Sequence, residues 1–307
     1  MLRPISLREI PSSPLTVGVA GIAIAVSICW WTGSEIIRSF GMDLEVWNHF
    51  EIWRGLTSIF PHADPVHLAF NLYWWIRFAP FLERTYGHIK FGLIIALLAL
   101  CSSLGEFMFL SGGIGLSGVV YGFWGMLWVL ERKDARFAGV IEETTTVTFV
   151  TWFFVCILLT ATDFLPVGNI AHGVGAIAGG LLGFAQTGSV RRRRIAWVGL
   201  GALLLITTIG STVLWPWTSF STYKYEAAAY VGSQAIQKGD LLKAKRWLEF
   251  AVRDQNADAL AWYSLGYVYH KLQKYAECLA AYEHAAQCPG ATDEMRQAAQ
   301  SMKRYME

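Results

Sequence analysis

At 307 residues, with 54% hydrophobic and only 16% charged residues and a mean hydropathy of +0.38, the chain is too apolar for a soluble domain and reads as a polytopic membrane protein. Its formal net charge of +2 gives no electrostatic footprint for nucleic acid, which is excluded as an implied partner. The five cysteines, Cys29, Cys101, Cys156, Cys278 and Cys288, show no CxxC or other metal-ligand spacing; no metal and no organic cofactor is expected. Cys278 and Cys288 are close enough in sequence to pair in an oxidising compartment.

In chain order, a short tail over residues 1–14 carries Arg3 and Arg8. The first apolar run, at about 15–32, is long and lacks a convincing cleavage site, so it is expected to span the membrane rather than act as a signal peptide. From 33 to 61 lies a mixed loop in which Trp47, Phe50, Trp53 and Phe60 alternate with Asp43, Glu45, Glu51 and Arg54; tryptophan at that density marks an interface-lying segment. Further runs follow at about 66–82, 90–110, 117–130, 147–162 and 170–185. Residues 15–190 thus form a six-helix core, and 191–217 a basic linker with a seventh transmembrane helix. The four arginines 191–194 read as a topology anchor on anionic lipid headgroups.

Orientation follows from the cations. With the N-terminus in the cytoplasm, the inner side holds Arg3, Arg8, Arg84, Lys90, Arg132, Lys133, Arg136 and the arginines 191–194, against Arg38 and Arg54 in the outer loops. Seven spans then place everything after Trp217 outside the cytoplasm, as expected for a bacterial inner-membrane protein.

Polar residues inside spans are costly and therefore informative. The fourth run is 14 residues, roughly 21 Å of helix against a bilayer core of about 30 Å, so Ser117 at its head is expected to lie below the outer surface. The glycine-rich segment 110–115 dips in to meet it, which is tolerated only beside protein or a wet cavity. Tyr121 follows Ser117 by one turn, and Gly118, Gly122 and Gly125 form a small-residue seam. On the sixth run His172, Gly175 and Gly179 share one side, and facing glycine seams let helices pack backbone to backbone. That approach would bring the Ser117 hydroxyl to the His172 ring, the base that a serine nucleophile needs, with Tyr121 packing beneath the imidazole. His67 and Asn71, four apart on the second run, and the Ser117 backbone N–H are the available donors for an oxyanion. No aspartate sits mid-span beside His172, which suggests a Ser-His dyad, with Glu106 and Asp163 near span ends as the available third members. Ser117 alone would equally read as a helix N-cap, and His67 or Asn71 alone as interhelical glue; their co-occurrence on three packable spans favours catalysis.

These residues resemble the rhomboid intramembrane serine proteases. The matching features are Trp53-Arg54, His62-x4-His67-x3-Asn71, Glu83-x3-Gly87, Gly115-x-Ser117-Gly118 with Tyr121, and Ala171-His172-x2-Gly175-x3-Gly179. The resemblance implies a six-helix fold with the site open to the outer side. It also implies Ser117 as nucleophile, His172 as general base and acid, His67 and Asn71 at the oxyanion site, and single-span transmembrane proteins as substrates. A non-catalytic rhomboid-like chaperone or scaffold is the alternative reading. Trp152, Phe153 and Phe154 on the fifth run are expected to form part of a lateral gate.

The polar tail, 225–307, repeats itself at a shift of 34: Val231-Gly232 aligns with Leu265-Gly266, Ala244 with Cys278, Leu248 with Tyr282, and Ala251 with Ala285. Trp262, Leu265, Gly266 and Tyr269 resemble the W-x2-L-G-x2-Y pattern of tetratricopeptide repeats, which implies two helix pairs and a capping helix at 293–306. Such arrays commonly bind peptides in a concave face, so a protein partner is the implied use.

Overall fold

The computed structural model describes residues 12–34, 37 and 39–307; Arg3, Arg8, Arg38 and most of the 1–14 tail lie outside the described residues. Fifteen α-helices and no strand are present among the described residues. The chain divides into two compact units, the first ending at Thr218 and the second spanning Ser219–Glu307.

In the first unit, α1 (Pro14–Trp31) is followed by two short helices, α2 (Leu44–Asn48) and α3 (Arg54–Thr57). Then come α4 (Pro65–Tyr86), α5 (His88–Phe109), α6 (Ser117–Lys133), α7 (Glu143–Ala161), α8 (Asn169–Gln186), α9 (Val190–Thr212) and the single turn α10 (Trp215–Thr218). Each of the seven apolar runs contains a helix. By length and composition, α1, α5, α7 and α9 are apolar enough to cross a membrane. The 17-residue α6 is at the short end of what crosses a bilayer, and α4 carries Asn71 and Arg77 within its length.

Local chemistry sets the ends. Pro65 opens α4, the Asp64 carboxylate accepts the N–H groups of Val66 and His67 at 2.8 and 2.9 Å, and Gly87, at φ +76°, closes it. Two-thirds of the apolar window of α5 is buried, against about a tenth of that of α7, so α5 is the central helix and α7 lies at the rim. Glu83 on α4 is fully buried and accepts from Leu15 N, Thr16 N, Thr16 Oγ1 and His88 Nδ1 at 2.7–2.9 Å. Trp75 Nε1 donates to Thr16 O at 3.0 Å, so the first turn of α1 is clasped twice by α4.

Two expectations are corrected. The arginines 191–194 are not a linker; they form the first turns of α9, because arginine is a good helix former and Ser189 precedes it in extended backbone. The end of the seventh run does not continue that helix: α9 stops at Thr212, and Trp215 is completely buried, stacked on Phe107 at 5.1 Å and beside Trp47 at 5.6 Å. Burial of that indole favours ending the helix early, and Trp47 is buried beside it.

The first loop is organised by Arg54, which is 5% exposed. Its guanidinium donates to Ser39 O at 2.6 Å, Gly41 O at 3.1 Å, Asp43 Oδ2 at 2.9 Å and Glu51 Oε2 at 2.6 Å. A buried cation holding two carbonyls and two carboxylates fixes the chain where no regular element does.

The second unit contains α11 (Tyr223–Gln237), α12 (Leu241–Ala251), α13 (Ala259–Lys271), α14 (Tyr275–Gln287) and α15 (Asp293–Met306). Short connections make α11–α12 and α13–α14 helix hairpins. Every pair aligned by the 34-residue shift is buried at both positions. A Cβ on Gly232 would lie 2.6 Å from Leu248 Cγ, and one on Gly266 would lie 2.5 Å from Tyr282 Cδ1, so the same glycine-on-large-residue lock closes both hairpins. Cys278 and Cys288 are not paired. Cys278 sits in an apolar cluster with Tyr282, Ala299 and Met302, where burial pushes its thiol up to about 11, while Cys288 Sγ faces Ala257 O.

Candidate active site

The two glycine seams meet. A Cβ on Gly175 would lie 2.1 Å from the Gly118 carbonyl oxygen, one on Gly179 would lie 1.8 Å from the Gly122 oxygen, and one on Gly125 would lie 2.3 Å from the Ala176 oxygen. Nothing larger than hydrogen fits, so α6 and α8 touch backbone to backbone over about two turns of α6. Ser117 is next to the first of these contacts and His172 is one turn from it.

Tyr121 sets the angle of the histidine. Its ring stacks on His172 with centroids 4.4 Å apart and planes 17° apart, and its hydroxyl donates to Phe149 O on α7 at 3.1 Å. His172 is 3% exposed. Tyr121 lies one turn below Ser117 on the same helix, so the imidazole and the serine share one face of α6.

Ser117 is the first helical residue of α6; the N-cap is Leu116, with no side-chain cap bond. Among the described residues the Ser117 hydroxyl makes no hydrogen bond, so the capping role that serine plays at helix starts is not used here. The Ser117 N–H is one of the first-turn donors without an intrahelical acceptor. No hydrogen bond joins Ser117 to His172, and His172 Nδ1 is buried without a partner among the described residues.

The loop before Ser117 is held from behind by His62, which the sequence pattern contained without assigning it a task. His62 is completely buried; its Nε2 accepts the Leu116 N–H at 3.3 Å, and its Nδ1 lies 2.9 Å from Phe60 O and 3.1 Å from Ser27 Oγ. Since Nε2 must accept, Nδ1 carries the proton and donates. Gly115 N donates to Ser58 O at 2.9 Å. Gly115 has φ +108°, and a Cβ there would lie 2.9 Å from His67 Cε1, so both backbone and space demand glycine.

His67 is therefore packed against Gly115, edge-to-face with His62 at 4.9 Å, and its Nδ1 accepts from Ala63 N at 3.4 Å. Asn71 is 3% exposed, and its amide donates to His67 O at 2.9 Å, which commits one of its two hydrogens within its own helix. Neither candidate third member reaches His172. Glu106 is spent on the start of α8, where Oε2 accepts Ala171 N at 2.7 Å. Asp163 is exposed, at φ +53°, after the end of α7.

On α7, Trp152 faces Phe70 of α4 at 5.2 Å, Phe153 lies 6.2 Å from Tyr121, and Phe154 is 64% exposed. A separate cleft of about 570 Å³, lined by Trp30, Met42, Asp43 and the loop residues Gly112 to Ile114, includes neither Ser117 nor His172.

These contacts run from the Arg54 loop through Ser117 to the glycines of α8, and that segment has a counterpart among known families. Residues 49–189 match the Rhomboid domain. The chain is 31% identical over 147 residues to the rhomboid protease GlpG of Salmonella paratyphi A, covering 47% of this chain and 52% of that protein. The same figures hold for GlpG of Salmonella newport and of Salmonella typhi. The chain thus spans about half the length of the curated relatives it matches, and the second unit lies outside the Rhomboid domain match.

Proposed function

We propose that the chain is a multi-pass rhomboid-type serine endopeptidase that cleaves single-span membrane proteins by a Ser117–His172 dyad. The observation that carries this reading is the unbonded Ser117 hydroxyl at the head of α6, one turn above the Tyr121 ring that stacks on the buried His172. In the reaction, Ser117 Oγ attacks the scissile carbonyl while its proton passes to His172 Nε2, which then protonates the leaving amine. Water repeats the sequence on the acyl-enzyme and frees Ser117. The Ser117 N–H, the His67 ring and the free amide hydrogen of Asn71 are the donors for the oxyanion. Gly118, Gly122, Gly175 and Gly179 serve by letting the two helices close.

The topology in this reading uses α1 and α4–α9 as seven spans, N-terminus in the cytoplasm of a bacterial cell, with the second unit outside. At 17 residues, α6 covers roughly 25 Å, which keeps Ser117 beneath a bilayer surface about 30 Å from the other. Substrate enters between α4 and α7, past Phe70 and Trp152. The second unit, a pair of tetratricopeptide-like hairpins with α15 as cap, recruits a protein partner or the soluble part of the substrate.

The test is cleavage of a single-span reporter in proteoliposomes by the parent, Ser117→Ala and His172→Ala, with fluorophosphonate labelling alongside. The expected result is cleavage and labelling in the parent and neither in Ser117→Ala. Alanine variants that cut as well as the parent would sink the proposal. Unchanged turnover after deletion from Lys224 onward would remove the substrate-binding role of the second unit.

A further inference from the structure

Two buried polar atoms on α8 lack partners among the described residues, and they belong together: His172 Nδ1 and Asn169 Oδ1. Residues three apart on a helix are neighbours on one face. Buried polar atoms are rarely left unmet, and each exception calls for a reason. Here the chemistry of the two atoms is complementary. If His172 Nε2 is to take the Ser117 proton, Nδ1 must carry the other hydrogen and needs an acceptor. Asn169 Oδ1 is an acceptor without a donor.

The orientation of the Asn169 amide is fixed by its other contacts rather than chosen freely. Its nitrogen lies 2.9 Å from Thr160 Oγ1 and 3.4 Å from Cys156 O. The carbonyl of Cys156 can only accept, and Thr160 Oγ1 spends its own hydrogen on Leu165 O at 3.3 Å while accepting from Val167 N at 3.2 Å. A flipped amide would set oxygen against oxygen at Cys156, so the NH2 faces α7 and the carbonyl oxygen stays free.

We infer that Asn169 is a positioning residue for the catalytic histidine: its side-chain oxygen accepts the His172 Nδ1–H, directly or across one bridging water, and so holds the tautomer that leaves Nε2 open to Ser117. It fills the place that a carboxylate takes in a three-residue arrangement, and it does so from the same helix as the histidine. This rests on the Ser117–His172 reading above. The amide also ties α8 to α7, so a purely structural role must be separated from this one.

Four variants in proteoliposomes do so, with Ser117→Ala as the check on the dyad itself. Asn169→Leu removes both halves of the amide; kcat is expected to fall about tenfold or more with KM within about twofold of the parent, and fluorophosphonate labelling to slow in step. Asn169→Asp keeps an acceptor but loses the donor to Thr160, and is expected to retain most of kcat. Thr160→Val removes one partner of the NH2, together with the bonds of Thr160 to Leu165 O and Val167 N, but leaves the Asn169 oxygen in place, and is expected to leave kcat unchanged. If Asn169→Asp and Thr160→Val lose as much as Asn169→Leu, or if Asn169→Leu keeps the parent kcat, the inference is overturned. If Ser117→Ala still cleaves, the dyad reading fails instead.

Discussion

Gly175→Ala adds a single methyl group to α8 and aims it at the Gly118 carbonyl, one residue from Ser117. At 2.1 Å the new carbon would sit well inside the range where ordinary contact begins, near 3.4 Å, and the obstacle is backbone with no rotamer to change. The helices must therefore part locally by about 1.3 Å. Alanine is the better helix former by about 1 kcal/mol, while overpacking costs about 1–3 kcal/mol, so the net loss of stability is modest, about 0–2 kcal/mol. The effect on rate is larger, because a displacement of about 1 Å at reacting groups costs on the order of 100-fold. Gly180→Ala is the matched control: same helix, same substitution, same gain in propensity, but its nearest neighbour would be Val129 Cγ2 at 4.0 Å. Initial rates of reporter cleavage in proteoliposomes, with thermal unfolding in detergent followed by circular dichroism, read both quantities. A Gly175→Ala variant as fast as the parent, or a Gly180→Ala variant as slow as Gly175→Ala, would refute the backbone-contact account.

Three further outcomes are expected. Arg54→Lys keeps the charge but cannot reach two carbonyls and two carboxylates at once, and should cost about 3 kcal/mol, seen as a lower unfolding midpoint and faster proteolysis within the 39–54 loop. Glu106→Ala strips the acceptor from the first turn of α8 and should cost about 1–3 kcal/mol in thermal unfolding, with Glu106→Gln milder because its carbonyl oxygen still accepts the Ala171 N–H. Replacing Trp152 and Phe153 together by alanine loosens the α7 rim against Phe70 and Tyr121 and should raise the cleavage rate; an unchanged rate would count against substrate passage there.

The helices were legible because their signals are local. Asp64-Pro65 and Gly87 mark the ends of α4, and the apolar runs exceed what any turn could hold. The glycine seams were legible as well, since their spacing alone puts Gly118 and Gly122 on one side of α6 and Gly175 and Gly179 on one side of α8. What the sequence hid was where individual polar atoms spend their hydrogen bonds. Glu106 looked available to His172, yet a carboxylate at a helix start is taken by backbone N–H groups. His62 stood in the matched pattern without a task, and only the structure shows its ring taken up by Leu116 N on one edge and Phe60 O on the other. The end of the seventh run was misjudged for a different reason: hydropathy reports that Trp215 avoids water, but not that Phe107 and Trp47 offer it a place inside the protein. Asn169 carried no signal of its own beyond standing three residues before a histidine.

The ring of His62 stands where three pieces of chain meet. Ser27 on α1 touches one nitrogen, the N–H of Leu116 the other, and Trp31 Nε1 grips the carbonyl of the same residue at 2.8 Å. A tilt of the N-terminal helix is thereby handed across a single aromatic ring to the residue before Ser117. The first helix thus acts as a lever on Ser117, and damage near Ser27 or Trp31 should register at a hydroxyl that neither of them touches.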